Sequence, residues 1–64
     1  MTHVSERQRT IGTLICSGMT NKMIARELGI TEGTVKAHLS ILMARLGVKN
    51  RTQVAVLFYQ REGT

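Results

Sequence analysis

The sequence predicts an all-α fold, a four-helix bundle. Three observations favour this class: the chain has only 64 residues, it contains no proline, and its glycines separate four segments with helical apolar spacing. This length excludes a barrel, a doubly wound sheet or two domains, so we place a single domain at residues 4–62. An apolar fraction of 42% is sufficient for a core. We assign no role to residues 1–3.

The first predicted helix begins after Ser5 and ends before Gly18. Ser5 and Gln8 have the spacing of a capping box, in which each side chain accepts a hydrogen bond from the backbone N–H of the other residue. The apolar stripe of this helix consists of Ile11, Leu14 and Ile15. Gly12 lies inside the helix, where glycine is about 1 kcal/mol less favourable than alanine, so we expect it to weaken the helix.

The second predicted helix is short and is followed closely by a third. Thr20 can cap the second helix, which spans residues 21–28, and Gly29 ends it. Thr31 can cap the next helix, so only residues 29–31 join the two. A link this short, with glycine at its first position, is typical of a helix-turn-helix, in which the helices cross steeply and the second one is exposed.

The third predicted helix, residues 32–46, has two different faces. At about 100° per residue, large apolar residues fall on one side and mostly small residues on the other. The apolar side consists of Val35, Leu39, Leu42 and Leu46, and the opposite side of Gly33, Lys36, Ala37, Ser40 and Ala44. Exposed helix faces usually carry long charged residues. Small residues around one lysine therefore favour close approach to another surface over a plain solvated face.

The fourth predicted helix runs from Arg51 to about residue 61, after an Asn50 cap, and is apolar around most of its circumference. Only one face can meet the core of a four-helix domain. We expect Val54, Leu57 and Phe58 to face inward, and Ala55, Val56 and Tyr59 to form an exposed patch. Such a patch predicts a symmetric dimer contact, and the alternative is scattered apolar surface residues.

The charge of the chain narrows the classes of function. A net charge of +5 and a pI near 10.4 favour polyanions, nucleic acid before an anionic membrane, over a basic surface that serves only solubility. One cysteine, two separated histidines and four acids match no catalytic or metal-site spacing, so we predict no enzyme activity, metal or cofactor. Apolar runs are too short to span a membrane, and we expect a cytoplasmic protein.

Three blocks of the sequence are similar to one family of DNA-binding domains. The blocks are residues 18–25 (GMTNKMIA), 28–38 (LGITEGTVKAH) and 46–53 (LGVKNRTQ). In this order and spacing they resemble the LuxR/FixJ-type helix-turn-helix domain over about residues 4 to 61. The resemblance implies a transcription regulator on the bacterial nucleoid and an upstream receiver or ligand-binding domain. It implies RNA polymerase as a second candidate partner, besides double-stranded DNA.

Two alternatives remain at this point. Region 4 of bacterial sigma factors resembles the chain through residues 5–9 and 33–36 but lacks the block at 46–53. A protein-interaction module with an acidic partner would also suit the charge.

Ser40 departs from the LuxR/FixJ pattern, because some members carry a longer basic residue there. We therefore expect shorter-ranged base reading from that turn.

The resemblance and the dimensions of B-DNA assign roles to exposed residues. A helix about 10 to 12 Å across fits the major groove, so we expect the third helix to read base edges there. The expected base contacts are Gly33, Lys36, Ala37 and Ser40. The expected backbone contacts, near helix starts, are Thr20, Asn21, Lys22, Thr31, Thr34, Lys49, Asn50 and Arg51. A phosphate contact is the alternative for Lys36, and capping alone is the alternative for Thr20, Thr31 and Asn50. The resemblance also implies weak homodimer pairing on DNA through the fourth helix.

Overall fold

Four α-helices joined by short turns make up residues 4–62, the part of the chain that the computed structural model describes. Residues 1–3, to which the sequence assigns no role, lie outside the described residues. The helices are α1 (Glu6–Cys16), α2 (Asn21–Leu28), α3 (Glu32–Leu46) and α4 (Arg51–Glu62). Within residues 4–62 there is no strand, which confirms the predicted all-α class.

Side chains begin the first three helices at the predicted residues. Ser5 Oγ accepts a hydrogen bond from the Gln8 N–H, and Gln8 Oε1 accepts one from the Ser5 N–H, both at 3.1 Å, which completes the capping box. Thr20 Oγ1 accepts from the N–H three residues later at 3.1 Å, and Thr31 Oγ1 accepts from the Thr34 N–H at 3.0 Å. These bonds satisfy backbone donors that a helix start otherwise leaves without a partner.

The link between α2 and α3 has the predicted length. Gly29 adopts a left-handed φ of 70°, a conformation that L side chains rarely take, and it ends α2. The N–H of Ile30 then donates to the carbonyl of Ala25 at 3.0 Å. Thr31 caps α3 directly afterwards, so α2 and α3 are joined as a helix-turn-helix.

The core lies where the four helices converge, with the most extensive packing between α1 and α4. Its buried apolar residues are Ile11, Ile15, Ile24, Ala25, Val35, Leu39, Leu42, Val54 and Phe58. Phe58 is the largest of the fully buried side chains. Because the buried residues of α3 all lie on one side of that helix, its opposite side faces outward.

Gly12 has a structural role that the sequence interpretation missed. The residue is buried, and a Cβ at this position would overlap Cζ, Cε1 and Cε2 of the Phe58 ring, the last at 2.6 Å. Packing this close demands a residue without a side chain. Helix propensity at Gly12 is therefore only part of the account, because glycine also allows α4 to pack against α1.

Two expectations for α4 are wrong. Val54 and Phe58 are buried as predicted, but Leu57 is only half-buried and does not join the core, whereas Ala55 is half-buried and packs against it. Leu57 and Ala55 flank the core line of α4 at similar angles. Ala55 lies on the side of α4 that is near the end of α1, since Cys16 and Ala55 border one shallow groove.

Candidate nucleic-acid interface

The outward side of α3 carries the four residues predicted to face bases. All four are exposed, and they are Gly33, Lys36, Ala37 and Ser40. The opposite side of the helix is anchored in the core by fully buried Val35 and Leu42. With 15 residues, α3 is about 22 Å long, so it presents a convex rod of exposed, mostly small side chains.

Gly33 is not required by the packing of the chain. A Cβ at Gly33 would meet only the Thr31 Oγ1, at 3.8 Å, an ordinary van der Waals distance. At Gly12, in contrast, the neighbouring helix occupies the space of the missing side chain. The glycine in the first turn of α3 thus leaves open space at the surface.

Ile41 extends this face of α3, and sequence analysis missed it. Its side chain is 45% exposed and does not belong to the core. It follows Ala37 by one helical turn, so the two residues form a short apolar strip. Such a strip is suited to contact with thymine methyl groups. The signal was a large apolar residue outside the stripe of Val35, Leu39 and Leu42.

The threonines at the start of α3 bond to each other as well as to the backbone. Thr31 and Thr34 are exposed, and their hydroxyl oxygens lie 2.9 Å apart. Thr31 also caps the helix. A hydroxyl has one donor and two acceptor lone pairs, so capping leaves hydrogen-bonding capacity for a further polar group.

The start of α4 is capped by two amide side chains. Asn50 Oδ1 accepts from the Gln53 N–H at 2.9 Å, and Gln53 Oε1 accepts from the Lys49 N–H at 2.7 Å. The predicted Asn50 cap is confirmed, although Gln53 reaches the N–H of Lys49 rather than that of Asn50. Lys49 and Asn50 are both exposed, and the lysine charge is available to solvent.

Arg51 and Asn21 lie together, although the sequence analysis treated them as separate backbone contacts. Arg51 Nη1 donates to Asn21 Oδ1 at 2.5 Å, and Arg51 Nη2 donates to the carbonyl of Met19 at 2.5 Å. Arg51 and Asn21 are half-buried. The bonds join residues 30 and 32 positions apart, and no local sequence pattern indicates them.

An open depression of about 480 Å³ lies beside this contact. Its polar lining consists of Thr20, Asn21, Lys22, Glu32 and Arg51. The first residues of α2, α3 and α4 are among them. The N-terminal ends of these helices, whose N–H groups and dipoles attract anions, therefore surround one hollow.

The remaining chemistry-bearing side chains lie at the edge of the core. His38 is half-buried, and its Nδ1 atom is buried without a hydrogen-bond partner among the described residues. Cys16 is half-buried against the core. Across residues 4–62 no group of three or more His, Cys, Asp or Glu could hold a metal ion. None of the four described helices combines the length and apolar character needed to cross a bilayer.

Comparison with known families identifies the domain. Residues 2–58 match the family described as bacterial regulatory proteins, luxR family. The chain belongs to the LuxR family. The match covers most of the chain, including α1, α2 and α3 entirely. The match supports the LuxR/FixJ-type resemblance and gives no support to region 4 of sigma factors.

Three relatives illustrate the similarity. YhjB of Escherichia coli strain K12 is 56% identical over 54 residues, which are 84% of this chain and 27% of that protein. The nitrate/nitrite response regulator protein NarL of the same strain is 44% identical over 57 residues, 89% of this chain and 26% of NarL. The DNA-binding transcriptional activator DevR/DosR of Mycobacterium tuberculosis strain H37Rv is 43% identical over 53 residues, 83% and 24% of the two chains. The chain spans about a quarter of the length of these curated relatives.

Family membership confirms the predicted class, a LuxR-type helix-turn-helix domain of bacterial regulatory proteins. The three relatives include a response regulator and a DNA-binding activator. The roles of individual residues, and the pairing of two domains, remain predictions.

Proposed function

We propose that this LuxR-family domain binds double-stranded DNA sequence-specifically and so regulates transcription in a bacterium. The observation that carries the proposal is the outward side of α3, where Lys36 stands among small exposed residues on a helix anchored by buried leucine and valine. A net charge of +5 supports it, because an excess of basic residues attracts phosphate.

In this proposal α3 lies in the major groove, which is about 12 Å wide and admits an α-helix. Lys36 donates to guanine O6 or N7, Ala37 contacts a thymine methyl, and Ser40 donates or accepts one turn later. Gly33 lets the first turn of α3 approach the bases closely. The short Ser40 side chain limits base reading at that position to a close partner.

Backbone contacts in this proposal hold α3 in register without reading sequence. Lys22, on the rim of the depression, and Lys49, before α4, supply exposed charges for phosphates on either side of the groove. Hydroxyl and amide groups at helix starts add neutral donors, and these are Thr20, Asn21, Thr31, Thr34 and Asn50. Arg51, the remaining residue predicted to contact the backbone, lies beside Asn21 and is half-buried between two acceptors.

Two further parts of the proposal concern partners. Two domains pair weakly on adjacent half-sites through α4, mainly by Val56 and Tyr59, which are 48% and 69% exposed, with Ala55 at the edge of the contact. Because NarL is a response regulator and is about four times longer than the matched segment, we also propose an upstream receiver domain in the full regulator, with a ligand-binding domain as the alternative. RNA polymerase is the remaining partner that we propose.

The DNA-binding proposal is tested by the salt dependence of binding. Selection of bound duplexes from a random pool would supply a preferred site. Fluorescence anisotropy of labelled DNA would then give affinities for that site and for a mixed-sequence duplex at several salt concentrations. Counterion release predicts a slope of about −0.9 in log K against log salt for each phosphate that is neutralised, so several contacts give a steep line. A flat response, or equal affinity for any polyanion, would instead support a protein-interaction module.

Two matched lysine variants separate base reading from phosphate contact. Lys36→Ala should weaken binding to the selected site about tenfold or more, and mixed-sequence duplex much less, because a base contact is worth about 1 to 3 kcal/mol. Lys22→Ala should lower the affinity for both duplexes by the same factor and reduce the steepness of the salt slope by about 0.9. Equal losses on the two duplexes for Lys36→Ala would make that lysine a phosphate contact only.

A further inference from the structure

We propose that Arg51 is a positioning residue for DNA binding, which acts by fixing the amide of Asn21 rather than by holding a phosphate itself. The inference rests on the proposed function. It starts from the two hydrogen bonds that Arg51 makes inside the protein, each 2.5 Å long, to Asn21 Oδ1 and to the Met19 carbonyl.

The chemistry of the pair determines the orientation of the Asn21 amide. A guanidinium group has donors only, so the Asn21 atom that faces Arg51 is the carbonyl oxygen. The amide nitrogen, with its two N–H donors, is then the part of the side chain left for another acceptor. Arg51 therefore converts an amide that could bond in either sense into one that offers donors, which is what a phosphate oxygen requires.

The second bond ties the same guanidinium to the backbone before α2. The Met19 carbonyl lies two residues before Asn21, so the two acceptors flank the Thr20 cap. Arginine can span them because its Nη1 and Nη2 atoms form a rigid planar fork. A lysine has the same charge but concentrates its donors on one nitrogen, and it cannot reproduce this geometry.

The location of the pair connects it to DNA contact. Asn21, Lys22 and Arg51 line the same open depression. We place the phosphate that Lys22 attracts beside the Asn21 amide, in a depression whose lining also includes the Glu32 carboxylate. Two of the five guanidinium N–H donors are already bonded within the protein and hold the group in place. We therefore infer that the main contribution of Arg51 to binding passes through Asn21.

Five variants of the 64-residue chain test this inference, with affinity for a labelled mixed-sequence duplex and the unfolding midpoint as readouts. Arg51→Lys keeps the charge, and we expect it to lose about tenfold in affinity with an unchanged salt slope, comparable to the loss of one hydrogen bond to a charged group. Arg26→Lys is the matched control on exposed α2 surface, and it should bind as the wild type does.

Asn21→Asp separates positioning from mere structural support. A carboxylate still accepts from Arg51 with added ionic attraction, so the midpoint should hold or rise. It has no N–H donors and repels phosphate, so affinity should fall about tenfold or more. Adding Arg51→Lys to Asn21→Ala should cause no further loss in affinity, because both changes remove the same contact.

Wild-type affinity from Arg51→Lys, or from Asn21→Asp, would overturn the inference. So would independent losses that multiply in the Arg51→Lys, Asn21→Ala double variant. If the wild-type chain itself shows no steep salt dependence, the proposed function fails and the inference fails with it. If wild-type binding depends steeply on salt and Lys22→Ala weakens it as expected, an Arg51→Lys variant with wild-type affinity contradicts the inference but not the proposed function.

Discussion

Gly33 lies in the first turn of α3, where the fold gains nothing from glycine. Its nearest neighbour for an added Cβ is Thr31 Oγ1, at 3.8 Å. Alanine in a helix is about 0.5 to 1 kcal/mol more favourable than glycine, because glycine loses more backbone entropy on folding. Because glycine makes α3 less stable than alanine would, an exposed glycine here is a candidate for close contact with another molecule.

We expect Gly33→Ala to raise the free energy of unfolding, by no more than the mid-helix difference of about 0.5 to 1 kcal/mol, and to weaken binding to the selected DNA site. Urea denaturation measures the first effect and anisotropy the second. Opposite signs in the two measurements would indicate that the glycine serves DNA approach. Unchanged or tighter DNA binding in the more stable variant would show that the backbone at Gly33 does not lie against the duplex.

The packing of α1 against α4 depends on the other helical glycine, Gly12. We expect Gly12→Ala to destabilise the fold by about 1 to 3 kcal/mol, because the new methyl group overlaps the buried Phe58 ring. Helix propensity alone predicts the opposite sign. The free energy of unfolding in urea distinguishes the two, with Gly33→Ala as the control in which propensity acts without a clash. A Gly12→Ala variant as stable as the wild type would mean that α4 shifts away at little cost.

Helix boundaries were predictable because their causes are local. Ser5 with Gln8, and Thr31 before α3, act on backbone groups within three residues. Gly29 ends α2 by its own backbone conformation. The outward side of α3 was predictable for the same reason, since one period of 3.6 residues determines which positions share a face.

Contacts between distant helices were not predictable from local patterns. The sequence shows neither that Phe58 occupies the space above Gly12 nor that Arg51 reaches Asn21. On α4, Ala55 and Leu57 are equivalent by angle, and the position of α1 decides which of them lies near it. Each of these features depends on where another helix lies, which a single periodic pattern does not contain.

At the scale of the whole molecule, the net charge bears on the proposed pairing of two domains. Each chain carries +5, so two free copies repel each other. The patch on α4 that remains exposed is small, with Val56 and Tyr59 as its large side chains. We expect a contact built on two large side chains to bury less area than a stable dimer does. In the proposed complex the DNA phosphates neutralise this repulsion and hold two domains close to each other, so we expect pairing on DNA and a monomeric free chain.

Tyr59→Glu tests this pairing. Because Tyr59 is 69% exposed, the unfolding midpoint should change little, since surface substitutions are usually within about 0.5 kcal/mol. Buried against a second α4, the new carboxylate would be unpaired, and the preference for a duplex with two half-sites over one with a single half-site should fall. The ratio of these two affinities is the appropriate measure, because the added negative charge lowers the affinity for both duplexes. Tyr59→Phe retains the apolar ring and should keep the wild-type ratio. If Tyr59→Glu leaves the ratio intact, α4 does not join the two domains, and any cooperativity arises elsewhere in the regulator or in the DNA.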